Sequence, residues 1–128
     1  MTVQRRTVLV VEDDATVRES LVDLLRDTGC VALDAQDGNE ALAVLAAHLP
    51  AMHVCAIVLD LMLPRLDGLG LLGRLRAQGY TVPVVAMSAS ARLLAQAIMA
   101  GARDGIAKPF AINELLTALD RCCAERHA

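Results

Sequence analysis

Rings are nearly absent from this chain of 128 residues: it has no tryptophan, one tyrosine (Tyr80) and one phenylalanine (Phe110). Its interior must therefore be built from Val, Leu, Ile and Ala. Hydrophobic residues still make up 55% of the sequence, which excludes a disordered chain. Long apolar runs are missing as well, because charges interrupt every stretch before the roughly 18 residues of a membrane span. Met1–Thr7 holds two arginines with no apolar segment of signal-peptide type after them, so a cytoplasmic location is expected. Positive charge is not in excess. The net charge of −3 suggests no nucleic-acid surface. The four cysteines, Cys30, Cys55, Cys122 and Cys123, have neither CxxC nor metal-ligand spacing and read as reduced, buried apolar residues. Lysine is the last scarcity: Lys108 is the only one among twelve basic residues.

What is present is an alternation. Short apolar runs occur at Val8–Val11, Val31–Ala35, Cys55–Leu59, Val82–Met87 and, more weakly, Gly105–Ala107. Most are continuously apolar, the pattern of strands buried on both faces of a parallel sheet. Between them lie segments of helical period. The first follows Asp14, which reads as its N-cap, and stops at Gly29. The second follows an Asp37-Gly38-Asn39 turn and ends at Pro50; the third runs from Asp67 to Gly79. A fourth covers Leu93–Ala100, and Leu115 to Cys123 marks the last. Five β-α repeats with right-handed crossovers give a doubly wound α/β fold, a parallel sheet with helices on both faces. One domain is expected over residues 1–128, with a structured core of about 7–124.

In such sheets ligands bind beyond the carboxyl ends of the strands, where strand order reverses. The first run ends in Glu12-Asp13-Asp14, the third in Asp60, the fourth in Ser88 and the fifth in Lys108-Pro109. Any one of these could be an ordinary turn residue or cap. Together they form a coherent set, because clustered carboxylates suit a hard cation such as Mg²⁺ or Mn²⁺. Lysine and serine can contact phosphoryl oxygens, and an aspartate can accept a phosphoryl group.

The sequence resembles the receiver domain of two-component response regulators over essentially its whole length. The resemblance rests on Val8-Leu9-Val10-Val11-Glu12-Asp13-Asp14, Asp37-Gly38, Val58-Leu59-Asp60-Leu61-Met62-Leu63-Pro64 with Asp67-Gly68, Ser88-Ala89, Gly101-Ala102 and Lys108-Pro109-Phe110. It implies a five-stranded sheet of order 2-1-3-4-5. Asp60 would be the phosphoacceptor, served by a histidine kinase or histidine phosphotransferase. Asp13, Asp60 and the Met62 backbone carbonyl would ligate Mg²⁺, with Glu12 acting through water. Ser88, Ala89 and Lys108 would contact or admit the phosphoryl group, and the Lys108–Pro109 bond would be cis.

Two departures matter. The family usually carries an aromatic three residues before the lysine; here Gly105 stands there, so the aromatic half of the usual switch is missing. Asp104 fits the charge pattern of the dimer formed by winged-helix regulators, but Ala118 and Asp120 stand where basic residues are expected, which favours a monomer or weak dimer. No output domain is expected within residues 1–128, and the sequence names no downstream protein partner. Met62, apolar and two residues beyond Asp60, cannot orient an attacking water, so loss of the phosphoryl group should be slow to moderate. Gly68, Gly70 and Gly73 read as close helix–sheet packing. His48, His53 and Cys55 are loosely spaced metal-type ligands, but Cys55 begins a buried strand and the histidines flank a loop, so solvated histidines are expected rather than a metal site.

Two other functions compete with the receiver reading. A haloacid-dehalogenase-type phosphatase shares the Asp, Mg²⁺, hydroxyl and Lys, but needs a second acid where Met62 stands, and a cap domain. A degenerate receiver serving as a constitutive scaffold would be consistent with Gly105.

Overall fold

The computed structural model describes residues 6–48, 54–63 and 66–126. Strands β1 (Thr7–Val11), β2 (Val31–Ala35), β3 (Val54–Asp60), β4 (Val84–Ser88) and β5 (Asp104–Ala107) alternate with helices α1 (Ala15–Asp27), α2 (Gly38–His48), α3 (Gly68–Ala77), α4 (Ala91–Met99) and α5 (Ile112–Arg126). All pairings are parallel and the sheet order is β2-β1-β3-β4-β5.

Burial explains the apolar runs. Every residue of β1, β3 and β4 is buried, whereas the edge strands β2 and β5 are only partly so. Successive side chains alternate between faces. Val8 and Val10 point into one core layer with Leu21, Leu25 and Leu115 of α1 and α5. Leu9 and Val11 point into the other with Leu45, Leu71 and Ala97 of α2, α3 and α4. No ring is fully buried among the largest core residues, which are Leu, Ile, Met and Val. Phe110 is only packed against the edge of one layer and Tyr80 against the other.

Helix starts are set by side-chain caps. Asp14 accepts from the Val17 N–H at 3.1 Å, Asp67 from Gly70 at 2.7 Å, and Ser90 from Leu93 at 3.2 Å. Gly29, Gly79 and Gly101 have positive φ just beyond α1, α3 and α4. The segment Asp37-Gly38-Asn39 differs from the expected turn: Asp37 accepts from the Glu40 N–H at 2.8 Å, and Gly38 and Asn39 already belong to α2. Asx-turn and N-cap use the same bond, so the two look alike in sequence.

Among the three glycines of α3, Gly68 is the close packer. A Cβ there would lie 2.6 Å from Leu61 Cα. Gly70 faces Leu66, whereas Gly73 is exposed with nothing near it, so the packing expected of Gly73 is not found. Cys55, Cys122 and Cys123 are buried; Cys30 is only half-buried. The Cys123 thiol is pushed upward in pKa by burial and by the neighbouring Cys55 thiol, so it stays protonated. His53 lies outside the described residues. No helix among the described residues is long and apolar enough to cross a membrane.

Candidate functional site

Strand order reverses between β1 and β3, and the polar residues at the carboxyl ends of the strands meet there. Parallel register brings them level: Val11 lies beside Leu59, Asp60 beside Met87, and Ser88 beside Ala107. Ligand oxygens of Glu12, Asp13 and Asp60 lie within 4.8 Å of one another. Glu12 and Asp60 are buried and Asp13 is exposed, so the cluster has a wet side and a dry side. Lys108 Nζ donates to Asp60 Oδ2 at 3.1 Å and lies 3.7 Å from Glu12 Oε2. The Met62 N–H donates to Asp60 Oδ1 at 3.0 Å, so both oxygens of this carboxylate are held. The Met62 side chain itself points to solvent, 65% exposed.

Three carboxylates facing one lysine leave negative charge in excess. Burial, reinforced by the apposed Asp60 carboxylate, pushes the Glu12 carboxyl up to about 7; Lys108 opposes the shift. Glu12 Oε2 is buried and has no hydrogen-bond partner, which is costly for a carboxylate oxygen. A buried acceptor without a donor, beside two further carboxylates, offers oxygen atoms of the kind a hard divalent cation takes. Mg²⁺ fits these residues: Asp13 and Asp60 can ligate directly, and Glu12 through water.

The remaining expected residues lie around this centre. Ser88 is buried at the end of β4, and its Oγ accepts from the Ser90 N–H at 3.0 Å. Ala89 follows it and is exposed. The Lys108 N–H donates to the Ser88 carbonyl at 2.9 Å, and the Leu61 N–H to the Met87 carbonyl at 3.0 Å, tying the ends of β3, β4 and β5 together. The Lys108–Pro109 peptide bond is cis.

Gly105 is away from the acids, on β5 beside Ala86. A Cβ at this position would meet Leu94 Cδ2 at 3.3 Å, with Ile98 Cδ1 at 3.9 Å. Aliphatic side chains of α4 thus lie over the glycine. A shallow groove of about 370 Å³ runs along its other side, lined in part by Asp104, Asn113, Thr117 and Arg121.

Some residues carry roles with no motif to announce them. Arg121 pairs with Asp104 at 3.3 Å, so the last helix does supply a basic partner, one position after Asp120. Asp120 pairs instead with Arg6, and Ala118 is buried in the core. Arg76 Nη2 donates to the Gly101 carbonyl at 2.9 Å and Nη1 to that of Tyr80 at 2.9 Å, fastening the far end of α4 to α3. Arg18 donates to the backbone of the acidic turn itself, to Glu12 O at 2.8 Å and Asp13 O at 3.4 Å. Long side chains reach partners many ångströms from their Cα, which spacing alone does not reveal.

Comparison with known proteins places these features in a family. The profile of the response regulator receiver domain matches residues 8–120. The response regulator MprA of Mycolicibacterium vanbaalenii is 44% identical over 111 residues, covering 85% of this chain and 46% of that protein. MprA of Mycobacterium ulcerans is 43% identical over the same length. The chain spans about half the length of the curated relatives it matches. Among solved structures, a Francisella response regulator receiver domain superposes with a TM-score of 0.86 at 31% identity, covering 95% of this chain and 99% of that one. A putative response regulator from Chloroflexus aurantiacus gives 0.85 at 33% identity, covering 94% and 99%.

Proposed function

Since the chain belongs to the response regulator receiver family of two-component signalling, we propose that it is switched by Mg²⁺-dependent phosphorylation of Asp60. The observation that carries this reading is the setting of Asp60: a buried carboxylate held by Lys108 and the Met62 N–H, beside two further acids. The donor is a phosphohistidine of a histidine kinase or histidine phosphotransferase. One Asp60 oxygen attacks phosphorus and forms the P–O bond; the P–N bond breaks, and the imidazole leaves with its electron pair and takes up a proton. Mg²⁺, or Mn²⁺ in its place, would be held by Asp13, Asp60 and the Met62 backbone carbonyl, with Glu12 through water, and would supply neutralisation of negative charge.

This chain's own groups do the rest. Lys108 transfers its hydrogen bond from Asp60 to a phosphoryl oxygen, as a point charge free to follow the new anion. Ser88, whose Oγ accepts from the Ser90 N–H, donates its own O–H to a phosphoryl oxygen, and the small, exposed Ala89 leaves that approach open. Because Ser90 also caps α4, movement of Ser88 reaches this helix directly. Gly105 has no ring to turn, so the output passes through α4 and its contact with β5, to a downstream protein partner. Residues 1–128 act as one receiver unit with a core of about 7–124, a monomer or weak dimer in the cytoplasm, with no nucleic-acid contact of its own.

Incubation with Mg²⁺ and a small phosphodonor, followed by intact mass, tests the proposal. One phosphate should be gained, and none by Asp60→Asn. The scaffold reading, favoured only by Gly105, requires no gain in either protein. Turnover of many donor equivalents would point to a phosphatase instead.

A further inference from the structure

Arg18 lies one turn into α1, four residues after the Asp14 N-cap, and Glu12 and Asp13 immediately precede that cap, so the start of this helix is rich in acids. The side chain is only 16% exposed. Its guanidinium is turned back over the helix start: Nη1 donates to Glu12 O at 2.8 Å and reaches Asp13 O at 3.4 Å, while Nε lies 3.7 Å from Asp34 Oδ2 on β2. The turn it grips is otherwise held by the Glu12 N–H on Ala35 O at 3.1 Å and by the Asp14 N–H on Glu12 Oε1 at 3.3 Å. Arg18 therefore holds the carbonyl side of the two peptides whose side chains are the acid pair.

We propose that Arg18 is a positioning residue for the metal-binding acids, fixing the Glu12–Asp13 backbone so that both carboxylates face Asp60, with Asp34 as the anchor that aims it. The proposal rests on the cation chemistry argued above. Three carboxylates within 4.8 Å repel one another. Without a clamp, the exposed Asp13 would relax toward solvent, and the cation would have to gather its ligands on binding. A planar fork with several donors suits two successive carbonyls and a carboxylate; an ammonium does not.

The test uses the whole chain and titrates Mg²⁺ calorimetrically into wild type, Arg18→Ala, Arg18→Lys and Asp34→Asn. Loss of the clamp should weaken Mg²⁺ binding about 10-fold in Arg18→Ala, the range seen when groups that orient metal ligands are removed. Arg18→Lys should recover part of that affinity, and Asp34→Asn should lose less than Arg18→Ala. Phosphorylation by a small donor, which needs no docking surface on α1, should be slower at limiting Mg²⁺ and return to near the wild-type rate at saturation. Unchanged Mg²⁺ affinity in variants with lowered melting temperature would reduce Arg18 to a structural tether. A rate that saturating Mg²⁺ does not restore would also overturn the proposal. If Arg18→Ala fails to fold, Arg18→Lys and Asp34→Asn decide by the same two readouts. Wild type that binds no Mg²⁺ at all would overturn the underlying cation chemistry, and the positioning role with it.

Discussion

Glu12 makes the protein's stability depend on pH in a direction opposite to that of a salt-bridged acid. Unfolded, its carboxyl releases a proton near 4.5; folded, near 7, because it is buried beside Asp60. Between those values the folded state holds the extra proton, so stability falls as pH rises through the window and stays low above it. Without divalent cation, the chain should lose about 2 kcal/mol of stability from this group between pH 5 and pH 8. Urea melts at both pH values measure it, and Glu12→Gln should remove most of the difference. Mg²⁺ should stabilise more at pH 8 than at pH 5, where it competes with the proton. Met62 carries a kinetic prediction at the same scale. Its side chain is 65% exposed beside Asp60 yet offers no acceptor or donor to orient water. Phosphorylated protein, freed of donor, should lose its phosphate over minutes or longer by intact mass; a half-life of seconds would refute this. The acids, Ser88 and Lys108 were legible because each ends an apolar run. Arg18 and Arg121 were not, since only tertiary contact distinguishes them from the other arginines.

At the scale of elements, two glycines have opposite significance. Gly68 begins α3 against the exit of β3, where a Cβ would lie 2.6 Å from Leu61 Cα, an atom that cannot move without dragging the Asp60 segment. Gly68→Ala should cost about 1–3 kcal/mol by urea melt and slow phosphorylation as well. Gly105 faces Leu94 Cδ2 at 3.3 Å, the free end of a flexible side chain. Gly105→Ala should change stability by less than about 1 kcal/mol, because the gain in strand propensity offsets a small shift of Leu94. Phosphate uptake should be unaffected; a large loss would mean that α4 and β5 are coupled to the acids more tightly than through Ser88 alone. Strand and helix existence followed from the periodicity of the apolar residues. Boundaries were less visible: Val82 reads as strand by composition, yet β4 starts at Val84, after Pro83.

For the whole molecule, both core layers share the same central strands, β1, β3 and β4. Neither layer can come apart while the other keeps its sheet face covered. Thermal unfolding should therefore be a single transition, with calorimetric and van't Hoff enthalpies equal. Two separated transitions would show that the layers are independent. The surface pairs Arg6–Asp120 and Arg121–Asp104 lie in exposed positions and add little to this cooperativity.

Sequence by itself determined the doubly wound fold, the edge of the sheet at which the acids, Ser88 and Lys108 gather, and the chemical kinds found there. These follow from local facts: side-chain period, run length, and which residue ends each strand. Tertiary structure alone decided the rest. It buried Glu12 and Asp60 together while leaving Asp13 wet, and so created both the raised carboxyl and the buried oxygen without a hydrogen bond. It laid Leu94 and Ile98 over the place of the missing ring, and it aimed Arg18 at a turn the chain had already passed. Desolvation and side-chain reach depend on neighbours distant in sequence, and no local pattern encodes them.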